Sequence, residues 1–349
     1  MVVTRQRDRV EHSRMIFVVG NSRSGTTMLA RILGGNRSVF MFYELHFFEE
    51  LYDPQSEDNP LPRDEACRLA ALLLARQRNG YFSPGDLTRF SSEARDLVKR
   101  LPDPVSSSHV FASVLNYEAL RNDKTVPLEQ TPRNVFYMRE ILDQYPQALV
   151  LNIVRDARDV VLSQKLKWRR FWNAPRVPRS QCVRFWANYH PVTISLLWNS
   201  SIDSADRYQL HPRVLHVRYE DILEEPERRI SEICSFLGIL FSSDMLQISH
   251  IGSSHTQDQT VPSGINKAAG QRWRRDSRNR YDLAVCQHVT RANLIKHGYE
   301  LSPRLRLRLT DIGRTALTWP GKTILALLFN AGRTRNVFRA VKKRLLVGR

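Results

Sequence analysis

The chain has 349 residues, 42% of them hydrophobic, with 6 Trp, 11 Tyr and 15 Phe, which allows a sizeable core and excludes a disordered chain. The formal charge is +18 and uneven: from Pro303 onward there are twelve Lys/Arg and one acid. Cys67, Cys182, Cys234 and Cys286 lie far apart without metal-ligand spacing, so reduced thiols in a cytosolic protein are the simplest reading.

Residues 1–14 form a polar extension with no apolar segment of signal length. Met15–Gly20 is a short apolar run ended by glycine, a first strand, and Gly25–Leu33 follows as a helix. Asn36–Phe48 ("NRSVFMFYELHFF") is extended or mixed, and Pro54–Pro62 is a loop. Asp64–Arg78 and Glu93–Leu101 have helical patterns. "VPLEQTPRN" (Val126–Asn134) reads as a turn-rich approach to a helix over Val135–Tyr145. Ala148–Val154 is a strongly apolar strand. The helix after it, Asp156–Leu166, opens with a carboxylate near the free amides. Val183–Trp198 is one helix, Val214–Tyr219 a strand, and Glu227–Leu237 a helix stopped by Gly238. This alternation predicts an α/β, P-loop-type three-layer fold with a central, mostly parallel sheet flanked by helices. Residues 15–302 make the domain, and 303–349 form a basic, partly helical tail. No run approaches the ~20 apolar residues of a membrane span, and Thr323–Phe329 is far too short, so the expected location is cytoplasmic.

"FVVGNSRSGTTML" (Phe17–Leu29) holds the first chemical signal. A glycine turn between a buried strand and a helix exposes backbone N–H groups at a positive dipole end, which suits an anion. Gly20–Thr27 has the outline G-x-x-x-x-G-x-T, with Thr26 where nucleotide-triphosphate loops carry lysine. That weakens an ATPase or GTPase reading. Thr26 and Thr27 offer hydroxyl donors, and Arg23 offers the missing charge. The plain alternative is a strand-to-helix connection and nothing more.

"LVLNIVRDARDVVLSQ" (Leu149–Gln164) supplies a second anchor. Arg155 falls at the end of the apolar strand, where ligands gather in open parallel sheets, and Ser163 lies eight residues on. Taken alone, Arg155 would pair with Asp156 or Asp159. Together with the first loop it implies a ligand with phosphates at both ends.

With these residues the chain resembles the sulfotransferase superfamily, in its carbohydrate and protein-tyrosine branch, whose donor is 3′-phosphoadenosine 5′-phosphosulfate (PAPS). "RSGTT" (Arg23, Ser24, Gly25, Thr26, Thr27) matches the loop that holds the 5′-phosphosulfate, and Arg155 and Ser163 match the pair that binds the 3′-phosphate. "VRYEDIL" (Val217–Leu223), "ICSFLGI" (Ile233–Ile239) and "GINKAAGQRWRRD" (Gly264–Asp276) extend the resemblance to roughly Met15–Asp276. It implies sulfuryl transfer to a hydroxyl or amine, PAPS as donor, 3′-phosphoadenosine 5′-phosphate (PAP) as product, and no bound metal. It places Tyr219 near the adenine and Arg272 over the 3′-phosphate, with Lys267 and Ser254 as weaker companions. Trp273 reads as packing.

Two tasks remain for the residues. Charge on the leaving phosphate needs stabilising, which points to Arg23, the loop amides and both threonines. The acceptor must lose a proton. Glu44 is the chosen base: the protein-tyrosine branch of the resembled family carries a glutamate at the matching distance, and flanking aromatics would raise its pKa. His46 competes, with a free pKa already near neutral. One departure stands out. Many relatives have lysine before Thr-Pro in "LEQTPRN", and this chain has Gln130. The role has moved, with Lys124, Lys165 and Lys167 as candidates, or the position touches the acceptor. Glu129 is a second acid–base group or a surface acid, and the surface reading is preferred.

The basic, aromatic-rich stretch Ser163–His190 suits a polar acceptor such as a sugar, through ring stacking and steering. In the tail, Val337, Phe338, Val341, Leu345 and Leu346 form one helical face among cations. It either lies on an anionic membrane at its inner face, suiting a lipid-linked acceptor, or docks on the domain with a basic outer face. No nucleic-acid motif accompanies the charge, so no nucleic-acid partner is expected. The rival readings are a divergent P-loop kinase or NTPase, a non-catalytic nucleotide-binding module, and a basic nucleic-acid binder.

Overall fold

The structure, a computed structural model, describes residues 14–52, 60–174, 177–248 and 264–330. Among them, five parallel strands form one sheet in the order β2-β3-β1-β4-β5. These are β1 (Ile16–Gly20), β2 (Val39–Met41), β3 (Val126–Glu129), β4 (Leu149–Val154) and β5 (Val214–Arg218). β1 sits at the centre because it is apolar on both faces. Phe17 and Val19 enter one core, while Ile16 and Val18 enter the other.

Helices cover both faces. On the Phe17 side lie α2 (Arg63–Asn79), α4 (Ser107–Arg121) and α5 (Met138–Gln144), with α3 (Ser91–Lys99) against α2. On the Ile16 side lie α1 (Thr26–Gly34), α10 (Tyr219–Glu224) and α11 (Pro226–Leu237), the last stopped by Gly238 in the left-handed region. The layers are helix, sheet and helix.

Beyond β4 the chain builds α6 (Ala157–Lys165), α7 (Lys167–Phe171), α8 (Arg179–Ala187) and α9 (Pro191–Asp206). Asp156 caps α6 by accepting the Arg158 backbone N–H at 2.9 Å. α12 (Arg280–Val289) and α13 (Arg291–Lys296) follow, and α14 (Leu309–Asn330) packs on α8 and α9.

Two sequence-based expectations change. Val126–Glu129 is a fully buried inner strand, not a turn-rich approach. Its proline is tolerated because Val126 N–H and Leu128 C=O bond to the β2 side, and the ladder with β1 starts at Leu128. The single helix expected over Val183–Trp198 is two, because Pro191 has no N–H to continue α8 and opens α9 behind the His190 cap. The apolar Thr323–Phe329 stretch is the end of the 22-residue α14. The extension before Arg14, Ser254 and most of its polar loop, and the helical face at Val337–Leu346 lie outside the described residues.

Candidate active site

The site forms where β1 and β4 end. Between Gly20 and α1 the backbone turns through the left-handed region at Arg23 (φ 77°) and Gly25 (φ 103°). Gly25 has a second constraint: a Cβ there would lie 2.4 Å from the Tyr219 ring. α1 then opens without a side-chain cap or an acid in its first turn, and Gly25, Thr26 and Thr27 line a cavity of about 400 Å³. That leaves the helix dipole uncompensated at the cavity wall.

The two anchors expected from sequence meet. Arg23 Nε donates to Ser163 Oγ at 3.0 Å. Arg155 Nη1 donates to the Arg23 carbonyl at 3.3 Å, and Nη2 to the Ala269 carbonyl at 2.8 Å. The Arg155 guanidinium covers the Tyr219 ring, 4.3 Å from its centroid, and Trp198 Nε1 donates to the Arg155 carbonyl at 2.9 Å. Asp159 stands 3.7 Å from Arg155, while Asp156 is taken by Arg158. Among the described residues, the buried polar atoms here without a hydrogen-bond partner include Ser24 Oγ and Arg155 Nε.

The cavity is strongly cationic. Among the described residues, Arg23, Arg31, Arg155, Lys167, Arg170 and Arg272 line it, against the single carboxylate of Glu44. Burial, reinforced by Arg170 and Arg155, pulls the Arg23 guanidinium down to about 10. An anionic ligand relieves that crowding.

At the other side of the cavity, His46 stands between two carboxylates: Nε2 is 3.3 Å from Glu44 and Nδ1 is 3.4 Å from Glu49. His46 adopts φ 51°, so the stretch that carries Glu44 and His46 is not extended here. The turn brings them together instead. Burial pushes the Glu44 carboxyl up, but the His46 hydrogen bond and the charges of His46, Lys167 and Arg133 outweigh it and hold the group below its ordinary value. The expected rise from flanking aromatics is therefore reversed.

Gln130 is buried, and its Oε1 accepts from Thr27 Oγ1 at 3.2 Å. Of the three lysines considered for the missing charge, Lys124 bonds the Asn36 carbonyl and Lys165 bonds Asn279 and Asp282. Only Lys167 among these lines the cavity, its Nζ 4.3 Å over the Phe185 ring. Burial and the charges of Arg23, Arg133 and Arg184 pull it down to about 8, against the opposing pull of Glu44.

Glu129 is neither a surface acid nor an acid–base group of the cavity. It is 1% exposed and accepts from the Leu45 and Thr131 N–H groups, Thr131 Oγ1 and Asn134 Nδ2. Lys267 is exposed and borders a separate groove with Glu220 and Glu224. Arg272 does line the cavity. Trp273 is packing, with the Arg158 guanidinium 3.6 Å from its ring.

Sequence reasoning passed over Tyr81 and Phe82. They join His46, Phe185 and Phe171 in a continuous run of ring contacts, from His46–Tyr81 at 4.3 Å to Phe171–Phe185 at 5.7 Å. Nothing local marks them, since only the fold carries the end of α2 to α8. Among the described residues no group of three or more His, Cys, Asp or Glu could hold a metal ion.

The model of the sulfotransferase family matches residues 15–243, so the chain belongs to that family, the PAPS-dependent transferases that "RSGTT" resembled. Solved sulfotransferases are among the structures similar to it. The sulfotransferase domain of the Synechococcus PCC 7002 olefin synthase is 21% identical, covering 83% of this chain and 96% of its own, with a TM-score of 0.49. The sulfotransferase of Alicyclobacillus acidocaldarius is 16% identical, covering 83% and 98%, with a TM-score of 0.43. Retinol dehydratase, solved with retinol and PAP, is 17% identical, covering 85% and 87%, with a TM-score of 0.39. No curated protein matches the chain. Family membership sets aside the kinase and NTPase readings.

Proposed function

We propose that the chain moves a sulfuryl group from PAPS to a hydroxyl of a carbohydrate or glycolipid acceptor. The observation that carries this reading is the joint cluster of Arg23, Ser163 and Arg155 on a cavity that also holds Glu44 and His46. The first-turn amides of α1, with Ser24, Thr26 and Thr27, hold the donor's 5′-phosphosulfate. Arg155, Ser163 and Arg272 hold its 3′-phosphate, and Tyr219 supports Arg155 from beneath. Lys267 lies outside this set.

In the transfer, the acceptor oxygen forms a bond to sulfur as the bond from sulfur to the 5′-phosphate oxygen breaks. The acceptor's proton passes to Glu44, and PAP leaves with the electron pair. Arg23 and Lys167 stabilise the charge that develops on the leaving phosphate and the sulfuryl oxygens. Lys167 thereby fills the role that Gln130 does not, while Gln130 fixes Thr27. The run of rings from Tyr81 to Phe171 supports a sugar acceptor, whose apolar ring faces stack on aromatics.

A second reading is favoured by the position of His46 between two carboxylates: the imidazole takes the proton, and Glu44 and Glu49 orient it. The test is sulfuryl transfer from labelled PAPS to a panel of glycans and glycolipids, without added metal. Transfer to sugar hydroxyls by wild type, lost in Glu44→Gln, supports the proposal. Transfer only to peptides or small alcohols overturns the acceptor class.

A further inference from the structure

Helix α14 is inside out. A surface helix normally buries its apolar side and wets its polar side. The docked side of α14 is polar: Thr315 meets Tyr281 at 3.0 Å, Thr318 meets His190 at 3.1 Å, and Trp319 Nε1 donates to Thr193 at 3.1 Å. Asn330 Nδ2 donates to Asn188 at 2.7 Å. The outer side carries Leu309, Leu317 and Leu328 at 86%, 83% and 67% exposure, with Ile324 and Leu327 also exposed. The helix's one acid, Asp311, is buried against Arg280. The outer face is therefore apolar and free of negative charge.

Its flanks are cationic. Arg304, Arg306 and Arg308 precede it and are exposed. The 19 residues after it, 331–349, carry seven Lys/Arg and no acid. A second copy of the chain on this face would set like charge against like charge, whereas a lipid surface rich in phosphate is complementary. No helix of the described residues is long and apolar enough to cross a membrane, so α14 fits the plane of the interface.

We infer that the outer face of α14 seats the protein on an anionic lipid bilayer, apolar side chains in the acyl boundary and flanking cations on the lipid phosphates. Trp172, at the end of α7, and Trp186, on α8, are also exposed, with the Lys322 ammonium of α14 3.2 Å over the Trp186 ring. Their chain neighbours Phe171 and Phe185 line the cavity itself. The seated enzyme therefore takes an acceptor carried on the lipid, a conclusion that rests on the acceptor class proposed above.

The experiment is co-sedimentation of the full chain with vesicles of phosphatidylcholine, or of an equal mixture of phosphatidylglycerol and phosphatidylcholine. It uses wild type and the Leu317→Glu/Ile324→Glu double variant, with PAP affinity and light scattering measured on each. Wild type should sediment with the anionic vesicles, less at raised salt. The double variant should partition at least about tenfold less with unchanged PAP affinity. Vesicle binding by a protein that fails to bind PAP would leave this inference standing and bring down the donor reading. A PAP-binding wild type that ignores anionic vesicles overturns the inference, as does undiminished vesicle binding by a double variant that still binds PAP. A wild-type dimer that the double variant dissociates, without vesicle binding, overturns it in favour of a second copy.

Discussion

Arg23 Nε donates to Ser163 Oγ at 3.0 Å across 140 residues of chain. The loop after β1 and the helix after β4 are thereby joined, and in the donor pose proposed above connected groups read its two ends. Removing the hydroxyl should loosen both. Ser163→Ala is expected to weaken PAP binding about tenfold, the scale of one hydrogen bond to a charged group, with thermal stability nearly unchanged. Titration calorimetry checks this, and unchanged affinity would place Ser163 outside the site.

Lys167 is pulled down to about 8, chiefly by burial, so its ammonium is lost as pH rises through that value. If the charge acts in transfer, kcat should fall above about 8. Lys167→Arg should retain activity and remove this alkaline limb, because guanidinium stays charged. Lys167→Met should lower kcat about a hundredfold with little change in PAP affinity. A flat wild-type profile through that range would contradict the role.

The acid limb separates Glu44 from His46. A carboxylate base works above its own pKa and fails as pH falls through it. Glu44 is depressed, its burial outweighed by the His46 hydrogen bond and nearby cations. With Glu44 as base, activity should therefore persist below the ordinary carboxylate range. His46→Asn should move the acid limb upward, because the hydrogen bond that depresses Glu44 is gone. A wild-type acid limb near neutrality that disappears in His46→Asn would assign the proton to the imidazole.

Glu129 braces the segment that carries both candidate bases, through the Leu45 N–H at 3.3 Å and Asn134 at 2.7 Å. Glu129→Ala should cost about 2–4 kcal/mol, because buried donors lose their acceptor. Glu129→Gln should cost less. Urea unfolding measures the difference, and a stable Glu129→Ala with intact activity would refute the bracing role.

What the sequence revealed follows from how local each signal is. β1, its glycine turn and α1 were legible because a continuous apolar run, Gly20 and Gly25 are adjacent in sequence. The Arg155–Ser163 unit was legible for the same reason. β3 was not: it has four residues with a proline, and its strand character comes from neighbours far along the chain. α4 received no assignment, since it is buried on most sides and lacks a clean periodicity. The depression of Glu44 depends on His46, Lys167 and Arg133, which only the fold assembles, so the aromatic neighbours gave the wrong sign. Likewise the "GINKAAGQRWRRD" motif could not show that Arg272 faces the cavity while Lys267 turns to another groove.

The donor site stands or falls on calorimetric binding of PAP, without magnesium, to wild type and Arg155→Ala, with adenosine 5′-monophosphate alongside. Arg155 is expected to grip the 3′-phosphate, so wild type should prefer PAP over the monophosphate by about a hundredfold or more. Arg155→Ala should lose most of that preference while the monophosphate binds as before. Equal affinity of wild type for both nucleotides, or a preference that survives Arg155→Ala, would contradict the assignment.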